Sequence, residues 1–246
     1  MLHERHAAAN TIRGVIPWLR GDEPFPPIED ALESPNGLLC AGGDLSIERL
    51  VAAYSQGIFP WFSEGEPILW WSPDPRMVLF PGELKVSRSL RKRVDAATYD
   101  LTADTAFRRV MEECARPRSG QSGTWIVPDM IEAYIRLHDA GLAHSVESWR
   151  EGKLVGGLYG VALGRVFFGE SMFSRSPDAS KVALVELVRR LGEKRFRLID
   201  CQQATGHLAS LGAREIPRAR FARLLQESIQ YPLTGERWSP PNGPRG

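Results

Sequence analysis

The sequence predicts an α/β (α+β) protein in which a small, aromatic-rich N-terminal α+β unit precedes a larger unit of helices and strands built around one sheet. Three observations carry that expectation. From Tyr99 onward, apolar residues alternate between period-two and helical spacing in regular succession. Gly, Pro or Asp punctuates most of the switches, as turn and cap chemistry requires. Before Tyr99, the segment 58–76 instead crowds Phe59, Trp61, Phe62, Trp70 and Trp71 among prolines. Such density marks the core of a small domain or a stacking surface. A chain of 246 residues, 43% hydrophobic and 25% charged, accommodates both units.

The elements follow in chain order. Residues 1 to about 30 read as loops, because Pro24-Phe25-Pro26-Pro27 excludes helix. Ser46 is a good N-cap for a helix through Leu50-Val51-Ala52-Ala53-Tyr54, which Gly57 stops. A basic helix spans Arg88 to Arg93, and the first unit ends near residue 85. Tyr99 to Thr102 is a strand, and Asp104 is the N-cap candidate of a helix to Cys114. Pro128 opens a second helix that ends at Gly141. His144 to Arg150, Leu154 to Leu163 and Val166 to Phe173 form a meander, turning at Glu151-Gly152-Lys153 and Gly164-Arg165. Pro177-Asp178 starts a helix to about Gly192, Phe196 to Gln202 is a strand, and helical pieces follow at His207 to Leu211 and Pro217 to Ile229. The resulting division is 1–85, 86–230 and a flexible tail over 231–246. The order β-α-α-β-β-β-α-β-α is that of GNAT-type acyltransferase folds, in which an acyl donor lies between splayed central strands. Fold order by itself assigns no function.

Several classes of function are disfavoured. No apolar run is long enough to span a bilayer, and the N-terminus lacks a signal-peptide apolar region, which places the chain in the cytoplasm. Cys40, Cys114 and Cys201 are odd in number and widely spaced, as free thiols in a reducing compartment are. A net charge of +1 does not announce a nucleic-acid binder, although Arg88, Arg91, Lys92 and Arg93 form one local patch and Arg214, Arg218, Arg220 and Arg223 another. Taken alone, either patch reads first as a solvated helix face. His138 and His144 have no matching Cys pair, so no metal site is expected. Gly169-Glu170-Ser171-Met172-Phe173 lacks the second glycine of a nucleophile elbow, and no Walker loop or dinucleotide fingerprint is present. Cys201 and His207 leave a thiol-imidazole pair open, against plain packing of a strand cysteine.

The chemistry concentrates in two strands. Strict alternation from Val166 puts Phe167, Gly169, Ser171 and Phe173 on one face and Phe168, Glu170 and Met172 on the other. Glu170 then sits among apolar neighbours, where it needs Arg175, a backbone group or a ligand's ammonium as partner. The strand Leu198-Ile199-Asp200-Cys201-Gln202 delivers Asp200 and Gln202 to the same side of its carboxyl end, where ligands of open α/β sheets bind. Two strand-borne carboxylates with an amide beside one of them make a proton-handling site.

These segments resemble the leucyl/phenylalanyl-tRNA-protein transferases. The resemblance runs from Phe25 to Phe221 through Pro35-Asn36-Gly37-Leu38-Leu39, Gly42-Gly43-Asp44-Leu45, Gly57-Ile58-Phe59-Pro60-Trp61-Phe62, Leu69-Trp70-Trp71-Ser72-Pro73-Asp74-Pro75-Arg76, Gly123-Thr124-Trp125-Ile126, Phe168 to Ser174 and Leu198 to Gln202. It implies transfer of Leu or Phe from its tRNA to the N-terminal Lys or Arg of a protein, which marks that protein for N-end rule degradation. The implied donors are Leu-tRNA and Phe-tRNA. The implied enzyme is a cytoplasmic monomer with no cofactor, metal or membrane contact.

By the same resemblance Asp200 is the base or electrostatic partner of the attacking amine, and Gln202 relays or orients it. Leu158, Phe167, Met172 and Ile199 line the apolar pocket, and Glu170, with Ser171 beside it, meets the aminoacyl amine. Trp61 and Trp125 stack on the terminal adenosine, and the basic helix touches tRNA phosphates. Two rivals remain. A coenzyme A acetyltransferase would need a glycine-rich pyrophosphate loop where this chain reads Ser174-Arg175-Ser176-Pro177-Asp178-Ala179-Ser180. A non-catalytic RNA-binding module would leave the strand carboxylates idle.

Overall fold

The computed structural model describes residues 16–117, 126–230 and 238. Two sheets organise the chain. In the smaller one, β1 (Trp18–Leu19), β2 (Leu38–Gly42), β3 (Phe59–Pro60) and β4 (Leu69–Trp71) lie in the order β1-β2-β4-β3. Helix α1 (Ile47–Ser55) begins as its sequence requires, with Ser46 Oγ accepting from the Arg49 N–H, and ends before Gly57 at φ +77°. The crowded aromatics build this unit's core: Trp70 is fully buried, packs edge-on against Phe25 at 4.9 Å, and donates from Nε1 to Gly42 O at 2.8 Å.

The larger sheet takes β5 (Arg76–Leu79), from just after the small sheet, together with β6 (Asp100–Ala103), β7 (Ala143–Arg150), β8 (Lys153–Leu163), β9 (Val166–Ser174), β10 (Leu198–Gln202) and β11 (Arg214–Ile216). Their order is β11-β5-β10-β9-β8-β7-β6. Helices α3 (Phe107–Ala115) and α4 (Pro128–Asp139) contribute to one apolar cluster, which also includes the small sheet, whereas α5 (Ala179–Glu193) contributes to the other. Helices α2 (Arg88–Asp95), α6 (Gly206–Ser210) and α7 (Arg218–Ile229) complete the described elements. The meander β7-β8-β9 is antiparallel, and β10 returns parallel to β9 after α5. From β6 to α6 the elements follow the β-α-α-β-β-β-α-β-α order expected from the sequence. Among the described residues no helix is long and apolar enough to cross a membrane.

Three local expectations change. Asp104 does not cap α3: it sits at φ +56°, and its carboxylate accepts instead from His144 Nδ1 and the Ser145 N–H of β7, while Ala106 occupies the cap position. Asp178 is the N-cap of α5, as the expected start requires, but it caps in a left-handed conformation at φ +62°, and its carboxylate turns to Lys181 and Arg93 rather than to a helix N–H. Two of the four arginines of the second basic cluster are committed to structure, while Arg220 and Arg223 are exposed. Arg214 lies on β11, stacks over Phe80 and pairs with Glu83, and Arg218 Nη1 donates to Ser72 O at 2.6 Å. The expected flexible tail falls outside the described residues except for Trp238, which is buried.

Candidate active site

Strands β9 and β10 pair only over Val166–Phe168 and Leu198–Asp200, then part. A cleft of about 490 Å³ opens in that fork. Its apolar lining comes from β8 (Leu158), β9 (Phe167, Met172), β10 (Ile199) and α5 (Leu184, Leu187), and Phe59 and Pro60 of β3 close it together with Trp61, which follows that strand. The four apolar residues expected to form a pocket therefore do meet, and Ser171 lines the same space.

Their meeting depends on a β-bulge that periodicity did not reveal. Tyr159 opposes Ser171 while the next residue, Gly160, opposes Gly169, so Glu170 is the extra residue of β9. A bulge reverses the alternation beyond it. Phe167 and Met172 consequently pack in one apolar cluster with Ile199 and Leu158, and Phe168 and Phe173 pack in the other, contrary to the strict alternation read from the sequence.

The bulge also aims Glu170. Its carboxylate accepts from Tyr54 Oη (2.8 Å to Oε1), Tyr134 Oη (3.1 Å to Oε2) and Gln202 Nε2 (2.8 Å to Oε1), and the two tyrosine hydroxyl oxygens lie against each other. Arg175, the structural partner considered from sequence, pairs with Glu113 instead. Burial raises the Glu170 pKa to about 7; the Tyr54 and Tyr134 hydrogen bonds pull it down, the Asp200 charge pushes it up, and Gln202 lowers it. The site thus holds a buried carboxylate, supported by three neutral donors, beside an apolar cleft.

Asp200 and Gln202 do not share one side of β10 as expected, because the register shifts between them: Gln202 lines the cleft and Asp200 does not. Ile199 and Cys201 face the cleft, whereas Asp200 is fully buried in a two-pronged pair with Arg76: Nε to Oδ1 at 2.8 Å and Nη2 to Oδ2 at 2.7 Å. The Arg76 guanidinium lies between the rings of Phe59 (4.9 Å) and Phe221 (4.6 Å). Gln202 joins the two carboxylates. At φ +61°, beyond a β-bulge in β10, its backbone N–H donates to Asp200 Oδ1 at 2.9 Å while its side chain reaches Glu170. The thiol-imidazole alternative gains no support, because burial, and then the Asp200 charge, push the Cys201 thiol up, and its Sγ contacts Ile199 O at 3.9 Å.

The remaining expected residues flank the cleft. Trp61 is 37% exposed at its rim, 5.3 Å from Trp71, whose Nε1 donates to Trp61 O. Trp125 lies outside the described residues. Arg88, Arg91 and Lys92 are exposed on α2, whereas Arg93 is half-buried and donates to Asp178 at 3.0 Å. Sequence reasoning missed Tyr54, Tyr134 and Arg76. The tyrosines carried a usable signal, since a Tyr on a helix's apolar stripe needs a polar partner for its hydroxyl. It missed Leu184 and Leu187 as well, whose spacing of three puts both on one face of α5.

The family model described as leucyl/phenylalanyl-tRNA protein transferase matches residues 78–226, and the model of that family's N-terminal domain matches residues 43–74. A Nitrosospira multiformis protein named leucyl/phenylalanyl-tRNA–protein transferase is 62% identical over 224 residues, 91% of this chain and 97% of the relative. A Chromobacterium violaceum protein of the same name is 59% identical over 91% of this chain and 96% of its own length. A GCN5-related N-acetyltransferase structure from Kribbella flavida aligns at a TM-score of 0.34 and 12% identity, over 67% of this chain and 59% of that one. With family models matching both units and relatives near 60% identity along most of its length, the chain belongs to the leucyl/phenylalanyl-tRNA protein transferase family.

Proposed function

We propose that this chain transfers Leu or Phe from aminoacyl-tRNA to the N-terminal Lys or Arg of acceptor proteins, marking them for degradation, and that it acts as a cytoplasmic monomer. One observation carries the reading. Glu170 is a carboxylate buried at an apolar cleft, and its hydrogen-bond partners are the neutral donors Tyr54, Tyr134 and Gln202. The α-ammonium of an aminoacyl group supplies the missing charge, while an isobutyl or benzyl side chain fills the space lined by Leu158, Phe167, Met172, Ile199, Leu184 and Leu187. Exposed Trp61, together with Trp125, offers the terminal adenosine a ring to stack on, and Arg88, Arg91 and Lys92 meet tRNA phosphates.

The reaction is aminolysis of an ester. The acceptor's α-amine attacks the aminoacyl carbonyl, the C–N bond forms, and the C–O bond to the terminal ribose breaks. The proton lost by nitrogen ends on the departing ribose oxygen. A terminal amine has a pKa of about 8, so a useful fraction is neutral near physiological pH and the activated ester needs no further energy source. Gln202 touches the site directly, through an amide anchored on Glu170. The burial of Asp200 against Arg76 favours an electrostatic, positioning role over that of a mobile base, exerted through the Gln202 N–H it accepts. Holding two substrates in register then supplies much of the rate.

Hydrolysis-resistant conjugates of Leu or Phe with adenosine test the donor site by calorimetry. Both bind under this reading, and acetylating the α-amine weakens binding by about 100-fold, since Glu170 then loses its ammonium partner. Equal binding of free and acetylated amines would remove Glu170 from that role.

A further inference from the structure

Trp238 lies beyond residue 226, where the family match ends, and it does not line the cleft. It is nevertheless tied into the cleft's far side. Its ring stacks flat on His144 (4.2 Å, 5° between planes) and contacts Phe167 at 5.8 Å and Phe196 at 6.5 Å. Its backbone N–H donates to Asp104 Oδ2 at 2.8 Å, the same oxygen that accepts from His144 Nδ1 at 2.9 Å. Its carbonyl accepts from Arg190 Nη1 of α5 at 3.2 Å. Ring and backbone are both fixed, and the residue is only 8% exposed.

Phe167 is the link. It lines the cleft on one side and meets Trp238 on another, and its ring also lies across Gly160: a Cβ there would come within 2.6 Å of Phe167 Cε1. The ring is therefore clamped between a glycine floor and the tryptophan. Trp238 shares one apolar cluster with Phe167, Leu158, Leu184, Leu187 and Ile199, which are cleft-lining residues.

We propose that Trp238 is a specificity-determining residue that braces Phe167 from behind and thereby sets the depth of the pocket for the donor's side chain. The proposal rests on the function proposed above. Rotamers in a close-packed wall change when the atoms behind them are removed. Without the tryptophan ring, Phe167 can withdraw from Gly160 and the cleft deepens. Leu then loses contacts, while the longer Phe side chain keeps them.

The test uses the full chain carrying Trp238→Ala, Trp238→Leu or Trp238→Phe. For each, the Kd of the Leu-adenosine and Phe-adenosine conjugates is measured beside kcat/KM for Leu-tRNA and Phe-tRNA, with thermal melting as the structural control. Because one methylene in an apolar pocket changes discrimination by about tenfold or more, the Phe-over-Leu preference rises at least about threefold in Trp238→Ala. Trp238→Phe restores it to within about twofold. If Trp238→Ala does not fold, Trp238→Leu is read by the same criterion. An unchanged preference, whether or not the melting temperature falls, reduces Trp238 to a structural anchor and overturns the proposal. Absence of transfer by the unsubstituted enzyme counts against the function proposal instead, and the ratio of conjugate Kd values still decides the bracing.

Discussion

Replacing Asp200 by Asn has a cost that can be worked from the geometry. Asp200 Oδ1 accepts from both Arg76 Nε and the Gln202 N–H, and Oδ2 accepts from Arg76 Nη2. An Asn amide offers one acceptor. With Nδ2 in the place of Oδ2, two donors face each other across 2.7 Å; with the amide flipped, Nδ2 faces two donors at 2.8 and 2.9 Å. The Arg76 charge, fully buried between Phe59 and Phe221, is left without its counter-ion. Breaking a buried pair from one side costs about 3 kcal/mol or more, which in a domain of this size lowers Tm by roughly 6–12 °C. Asp200→Asn thus mixes a folding defect with any loss of transfer. Pairing Arg76→Met with Asp200→Leu separates them, because apolar residues of similar volume can replace both charges with little loss of stability. We expect the double variant to recover most of the Tm while its kcat stays at least about tenfold low, since Gln202 has lost the acceptor that orients it. A melting temperature for Asp200→Asn within about 2 °C of the unsubstituted enzyme would refute this reasoning.

Other expectations follow from single contacts. Glu170 rises from 4.5 to about 7 on folding, mainly through burial, so the folded chain binds a proton more tightly than the unfolded chain between those values. Stability contributed by this site is fully present below pH 4.5 and lost as pH rises through 7, by about 3 kcal/mol. Urea titrations at pH 5 and pH 8 should show that loss, and Glu170→Gln should abolish it. Gly160→Ala places a Cβ 2.1 Å from Phe168 O, a backbone atom that no rotamer change can move, so the variant should melt more than about 5 °C lower or express insoluble. Substituting Ala at exposed Arg88, Arg91 and Lys92 together should raise KM for tRNA at unchanged kcat. It should also flatten the salt dependence of binding by about two to three in log–log slope.

Elements with strong local signals were legible in the sequence: Ser46 as a cap, Gly57 as a stop, the β7-β8-β9 meander and α4 fall where residue chemistry puts them. The apolar residues of the cleft were identified through the family resemblance rather than through periodicity. Periodicity failed at Glu170, because a bulge depends on how β8 registers against β9, and no residue of β9 alone announces it. Cap chemistry failed at Asp104, whose carboxylate is drawn to β7, 40 residues away, in preference to its own helix. Arg76 was read within a loop block, yet it is the buried counter-ion of Asp200 across 124 residues. Such pairings are tertiary facts. A charged residue in an aromatic loop looks alike whether it is solvated or sealed. Short β11 carried too few residues to show a period at all.

The central claim is that the cleft presents an aminoacyl ester to a protein's N-terminal amine. Incubating the enzyme with labelled Leu-tRNA and a peptide beginning with Arg, in the absence of ATP and coenzyme A, measures that directly. The account predicts label on the peptide's N-terminus through a bond stable to mild base, and none with an N-acetylated peptide. Label that remains on tRNA while the peptide stays unmodified would contradict it.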